Sequence, residues 1–197
     1  MHPSPDVGAL PVRAVETPNP NARMFRVNET LIPTGTHEFT SLEDAENSPL
    51  ASVLLTIDGV ELVLIAPRFV TVRKGIESQW AWLSPTITAA IASFLRSGDI
   101  AVLESETDKA GLTPVERSEV EQRIIALLDE EVRPAIAQDG GDCSFEGFKD
   151  GVVYLRLIGS CGTCPSATAT LKYGIERLMQ EEIPEVKSVE SVTGETL

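Results

Sequence analysis

Apolar and polar positions alternate in short bursts over the first seventy-odd residues. Runs with strand character occupy 24–27, 53–57, 60–65 and 69–74. Asp58-Gly59 sits between the second and third runs and predicts a tight hairpin there. The rhythm then changes. Trp80, Leu83, Ile87, Ala90, Ile91 and Phe94 recur at helical spacing, and Ser97-Gly98-Asp99 closes the helix. Pro85 falls inside that pattern, so the helix is expected to begin at Ser84-Pro85 or to kink there. Upstream, the stretch to about Ala14 is Pro-rich and reads as loose or extended, and Thr17-Pro18-Asn19-Pro20-Asn21 reads as a turn.

The second half has a different order of elements. Residues 104–112 are polar and aperiodic and read as a linker between a domain at 1–103 and another at 113–197. Thr113-Pro114-Val115-Glu116 has the form of a helix start, with Ile124, Leu127, Leu128 and Val132 as the apolar stripe that follows. Gln138-Asp139-Gly140-Gly141-Asp142 must stop that helix, with positive φ expected at both glycines. A second hairpin follows: 144–148, the turn Lys149-Asp150-Gly151, and 152–158. In its latter strand Val153, Leu155 and Leu157 share one face, and Tyr154 and Arg156 the other. Residues 167–179 carry a helical stripe of Leu171, Ile175 and Leu178, and 186–192 reads as a closing strand. Helix-strand-strand-helix-strand is an α+β order, so the fold class is α+β in two small domains. No repeat links the halves, and no tract is low in complexity.

Composition narrows the functional classes. The chain has 197 residues and a formal net charge of -14. Such acidity speaks against nucleic acid, whose phosphates demand a basic face, and against an anionic membrane surface. No apolar run approaches the roughly 20 residues of a membrane span. Three cysteines are an odd number and too few for a disulfide framework, which points to a reducing compartment. The first residues show neither a secretory signal nor an Arg-rich amphipathic leader, so a cytoplasmic protein is expected.

The concentrated chemistry is Cys161-Gly162-Thr163-Cys164, placed between a strand-like run and a helix-like one. A thiol must lose its proton to bind metal or attack a disulfide, and unperturbed it does so only near pH ~8.5. The N–H groups at the start of a helix favour the thiolate, and Gly162 admits a bulky ligand close to the backbone. Lys172 lies too far along that helix to touch the thiols. Four readings follow from spacing and context: half of an iron–sulfur cluster site, half of a zinc site, a redox dithiol in which Cys161 attacks and Cys164 resolves, or structural thiols. The dithiol reading expects a βαβ setting with a mostly parallel sheet, whereas here the pair follows a hairpin. No phosphate loop, serine-hydrolase elbow or paired-histidine zinc motif is present.

Several motifs together carry a resemblance. Leu128-Asp129-Glu130-Glu131-Val132-Arg133-Pro134-Ala135, Asp139-Gly140-Gly141-Asp142, Gly159-Ser160-Cys161-Gly162-Thr163-Cys164-Pro165-Ser166, Thr170-Leu171-Lys172-Tyr173-Gly174-Ile175-Glu176 and Ile183-Pro184-Glu185-Val186 resemble the C-terminal domain of NifU-like (Nfu-type) iron–sulfur cluster carriers. Thr17-Pro18-Asn19-Pro20-Asn21, Pro49-Leu50-Ala51, Ile57-Asp58-Gly59-Val60 and Phe69-Val70-Thr71-Val72 resemble the N-terminal domain that accompanies it. The resemblance implies a [4Fe-4S] cluster held between two subunits by Cys161 and Cys164 of each. It implies a homodimer when loaded, an upstream cluster-assembly scaffold as source, apo iron–sulfur proteins as recipients, and no enzymatic turnover. A [2Fe-2S] cluster would also take about four thiolates, so ligand number alone does not choose between the two. Cys143 departs from the family pattern. It reads as a small buried hydrophobe at a strand start, against the sharper alternative of an auxiliary thiol. His2 and His37 read as solvent-facing, Asp139 and Asp142 as turn and capping residues, and one of Trp80 and Trp82 as core.

Overall fold

The computed structural model of the chain describes residues 11–103, 118–159 and 165–192. In the first stretch β1 (Val12–Glu16), β2 (Ala22–Val27), β3 (His37–Phe39), β4 (Val60–Ala66) and β5 (Phe69–Lys74) form one antiparallel sheet in the order β1-β2-β5-β4-β3. Two helices, α1 (Pro49–Leu55) and α2 (Trp80–Ser97), supply Leu50, Leu54, Leu83, Ile87 and Ile91 to a core shared with Phe25, Val27, Val63, Ile65, Val70 and Val72 of the sheet. The positions that alternate with these along the strands face the other way. Ala22, Met24, Leu62, Leu64, Ala66 and Thr71 on that second face are buried as well.

The second stretch begins with α3 (Glu119–Leu127). Ser118 and Glu121 form a reciprocal capping box at its start, each side chain bonded to the other's backbone N–H. One π-helical turn (Leu128–Val132) leads into α4 (Arg133–Gln138). Its cause is legible in the spacing of the buried side chains Ile124, Leu128, Val132 and Ile136, which recur every fourth residue. In a straight α-helix such a stripe would drift by roughly 40° per step. A wider π turn brings it back onto the sheet. Then come β6 (Gly141–Lys149), β7 (Val152–Gly159), α5 (Pro165–Glu182) and β8 (Ser188–Ser191). The sheet order is β6-β7-β8, with β6 and β7 antiparallel and β7 and β8 parallel. Val153, Leu155 and Leu157 of β7 meet the helix stripe, together with Ile175 and Met179 of α5. Both units are α+β.

The structure corrects several expectations. Residues 53–57 are not a strand, and Asp58-Gly59 does not join two strands. Ser48 accepts a hydrogen bond from the Ala51 N–H and Pro49 occupies the first turn, so the chain enters a helix that buries Leu50, Ala51 and Leu54. The hairpin in this region joins β4 to β5. Val12 to Ala14 of the Pro-rich start are extended and not loose, because β1 pairs along its length with β2 and buries Val12. Helix α2 starts at Trp80, and Pro85 is accommodated inside it. Gly140 has positive φ, +75°, but Gly141 does not and instead begins β6. The closing strand is shorter than expected. The expected linker, 104–112, and the helix start at Thr113-Pro114 lie outside the described residues.

Candidate functional site

Cys161 and Cys164 lie outside the described residues, as does His2. What is described is the frame on either side of the cysteines. The central strand β7 ends at Gly159 and α5 begins at Pro165, after which β8 returns parallel to β7. The cysteines therefore fall, in sequence, at the strand-to-helix junction of a β-α-β crossover. The sequence had suggested that only a hairpin precedes them. Both descriptions hold, because β7 is shared by the β6-β7 hairpin and the β7-α5-β8 unit. The sheet is not mostly parallel, however, since one of its two pairings is antiparallel.

The root of this junction is held by residues from the other domain. The Gly159 N–H donates to Oε2 of Glu38 at 2.6 Å. The Thr71 hydroxyl donates to the carbonyl of Gly140 at 2.6 Å, and the Thr36 hydroxyl to Oδ2 of Asp142 at 2.7 Å. Gly141 is the register partner of Gly159, so these contacts converge on the paired ends of β6 and β7. The packing is close. A Cβ at Gly159 would stand 2.7 Å from Leu64 Cδ2 and 2.9 Å from the Gly140 carbonyl oxygen. One at Gly140 would stand 2.7 Å from Thr71 Oγ1. Both glycines also have positive φ, +70° at Gly159 and +75° at Gly140, which a side chain would strain. The second face of the N-terminal sheet is thus buried at Thr71, Met24 and Leu64 against the turn and strand end from which the cysteine segment departs.

Cys143 lies on β6 opposite Leu157 and is buried. Burial, reinforced by the charge of Asp142, pushes its thiol up to about 12, with Arg133 opposing. It is a protonated core side chain, as the plainer reading of the sequence held. Asp142 is buried and accepts from the Cys143 N–H and from Thr36, with Arg133 Nε at 3.3 Å. It therefore serves the backbone and the domain contact. Arg133 also reaches Asp129 at 3.0 Å and the Cys143 carbonyl at 3.1 Å. Among the described residues no group of three or more His, Cys, Asp or Glu side chains could hold a metal ion. His37 stacks on Phe39 in β3. Trp80 packs against the N-terminal core while Trp82 is exposed. Sequence reasoning missed Glu38, Thr36 and Thr71. A polar residue in a strand that faces another domain carries no periodic signal, and the buried Thr71 amid apolar neighbours was the one available hint.

Residues 12–98 match the family model described as Scaffold protein Nfu/NifU N terminal, and residues 124–190 match the NifU-like domain. The fold and these matches define a two-domain α+β protein of the NifU type. The relatives agree over most of the chain. It is 41% identical over 182 residues to the NFU1 iron-sulfur cluster scaffold homolog, mitochondrial, of Homo sapiens, covering 92% of this chain and 71% of that protein. It is 38% identical to NifU-like protein 4, mitochondrial, of Arabidopsis thaliana, covering 91% of this chain and 65% of that protein. It is likewise 38% identical to NifU-like protein C1709.19c of Schizosaccharomyces pombe, covering 92% and 72%. Among solved structures, the NifU-like protein from Saccharomyces cerevisiae aligns with 53% of this chain and 96% of that one, at 22% identity and a TM-score of 0.44. The chain belongs to the Nfu/NifU family.

The same relatives overturn the expectation of a cytoplasmic protein. Those from Homo sapiens, Drosophila ananassae and Arabidopsis thaliana are all named as mitochondrial. Cysteine usage distinguishes reducing from oxidising surroundings and not one reducing compartment from another.

Proposed function

We propose that this protein is an iron–sulfur cluster carrier. Two copies hold one [4Fe-4S] cluster between them through Cys161 and Cys164 of each, and pass it to apo iron–sulfur proteins. The observation that carries the reading is 41% identity, over 92% of the chain, to a relative named as an iron–sulfur cluster scaffold. The chemistry of the donor set fits. A cluster takes about four thiolates, one chain supplies two that stand three positions apart in sequence, and the remaining cysteine, Cys143, is buried and protonated. The net charge of -14 suits a chain that meets other proteins rather than nucleic acid or an anionic membrane. Transfer proceeds by ligand exchange, acceptor thiolates replacing Cys161 and Cys164 one at a time. A site shared by two subunits favours release, because loosening the dimer exposes the cluster. Residues 113–197 hold the cluster, 1–103 serve partner recognition or positioning, and an upstream assembly scaffold supplies the cargo. No substrate is chemically turned over.

Anaerobic reconstitution with iron and sulfide, followed by native mass spectrometry of the wild-type chain and Cys161→Ser, tests this. The expected result is a dimer carrying four irons and four sulfides, absent from the variant. A dimer with two irons would replace the cluster type by [2Fe-2S] and keep the carrier. A metal-free monomer with a Cys161–Cys164 disulfide would sink the carrier and favour a dithiol oxidoreductase.

A further inference from the structure

Three ties cross from the N-terminal domain to the paired ends of β6 and β7, and one of them ends two residues before Cys161. We propose that Glu38 is a positioning residue that fixes the end of β7, two residues ahead of Cys161 in sequence, and that docking of the N-terminal sheet on Gly140, Asp142 and Gly159 sets how firmly a bound cluster is held. The inference rests on the carrier reading above and adds to it a role for the N-terminal domain inside each protomer.

Glycine is the residue with the most backbone freedom, and two of them, Gly140 and Gly159, stand side by side at the root. Left alone, such a root would be free to take many backbone conformations. Here each glycine is clamped by the other domain. Thr71, fully buried, holds the Gly140 carbonyl, and Met24 and Thr17 close around it. Leu64 covers the α-carbon of Gly159 while the Glu38 carboxylate takes its N–H. A hydrogen bond to an ionised carboxylate is among the stronger kinds. The two kinds of contact differ in what breaking them exposes. Undocking the sheet would bare Met24 and Leu64, which is unfavourable in water. Glu38 is itself exposed, so its tie opens without disturbing the apolar face. That makes it the adjustable member of the set. With the tie closed, the last residue of β7 is fixed and the cluster is retained. With it open, the end of β7 is freed and thiolate exchange with an acceptor is faster.

The test uses the full chain as wild type, Glu38→Ala, Glu38→Gln and Thr71→Val. In the cluster-free chains, NMR hydrogen exchange of the Gly159 amide should quicken about tenfold in Glu38→Ala. It should stay near wild type in Glu38→Gln, whose amide oxygen still accepts. After anaerobic reconstitution, the visible absorbance of the cluster in the presence of a chelator should decay several-fold faster in Glu38→Ala and in Thr71→Val. Glu38→Gln should restore the wild-type lifetime. Unchanged Gly159 exchange in Glu38→Ala would overturn the contact. Faster exchange with an unchanged cluster lifetime would overturn the coupling. A wild-type chain that takes up no cluster would instead sink the carrier reading, and this inference with it, whatever the exchange data show. Glu38→Gln separates the contact from the charge, and an unchanged cluster lifetime in Thr71→Val would overturn the role of docking.

Discussion

Replace Cys161 and Cys164 by serine, and Cys143 is left as the chain's single thiol. Its reactivity then reports directly on its surroundings. Burial, with the Asp142 charge adding to it, lifts the thiol from an ordinary 9.0 to about 12 in the folded state. Three units of difference mean about a thousandfold less thiolate at any pH below both values. Only the thiolate is a good nucleophile, so iodoacetamide near pH ~8 should modify Cys143 about a thousandfold more slowly in the native chain than in concentrated urea. Mass spectrometry of timed aliquots reads the two rates. Linkage gives a second measure. Above about pH 9 the unfolded thiol loses its proton while the folded one keeps it, so rising pH favours unfolding. The contribution is about 1.4 kcal/mol per pH unit between roughly 9 and 12. Lysines and tyrosines titrate in the same range, so the quantity to compare is the slope of the intact variant against one with Cys143→Ala added. Native modification within about tenfold of the unfolded rate would refute the buried assignment. It would also return Cys143 to consideration as a thiol able to meet the cluster.

Two further outcomes test the frame of the C-terminal domain. Ser118→Ala removes the capping box at the start of α3 and should lower stability by about 1 kcal/mol, read as a shift of the urea midpoint. Asp150 sits at φ 55° in the turn between β6 and β7, beside Gly151 at 90°. Asp150→Val should lose about 1–2 kcal/mol by thermal unfolding, because a β-branched side chain resists the left-handed region, whereas Asp150→Asn should be nearly neutral.

Strand β7 could be read from its sequence because alternation and burial coincide. Val153, Leu155 and Leu157 are the positions that face the core. The Lys149-Asp150-Gly151 turn was legible for the same local reason, since positive φ falls where Asp and Gly tolerate it. The misreading of 53–57 shows the limit. A short apolar run has no period, and strand and helix are then separated only by their ends. The decisive signal lay just upstream, in Ser48 as cap and Pro49 in the first turn. The π turn was visible in principle as a four-residue repeat of apolar positions, although a helical stripe tolerates that spacing over two turns and reveals the drift only over three.

Local order along the chain was set by sequence alone, because caps, turns and periodicity all act over a few residues. The pattern also sufficed for membership of the Nfu/NifU family. Tertiary structure decided the rest. It placed β8 parallel to β7, turned Cys143 inward beside Asp142, and buried the second face of the N-terminal sheet at Met24, Leu64 and Thr71. It brought Glu38 to Gly159 across 121 residues of chain. Such a contact is made by shape and by the need to satisfy buried polar backbone when two domains meet, and neither requirement leaves a repeat for a linear reading to find.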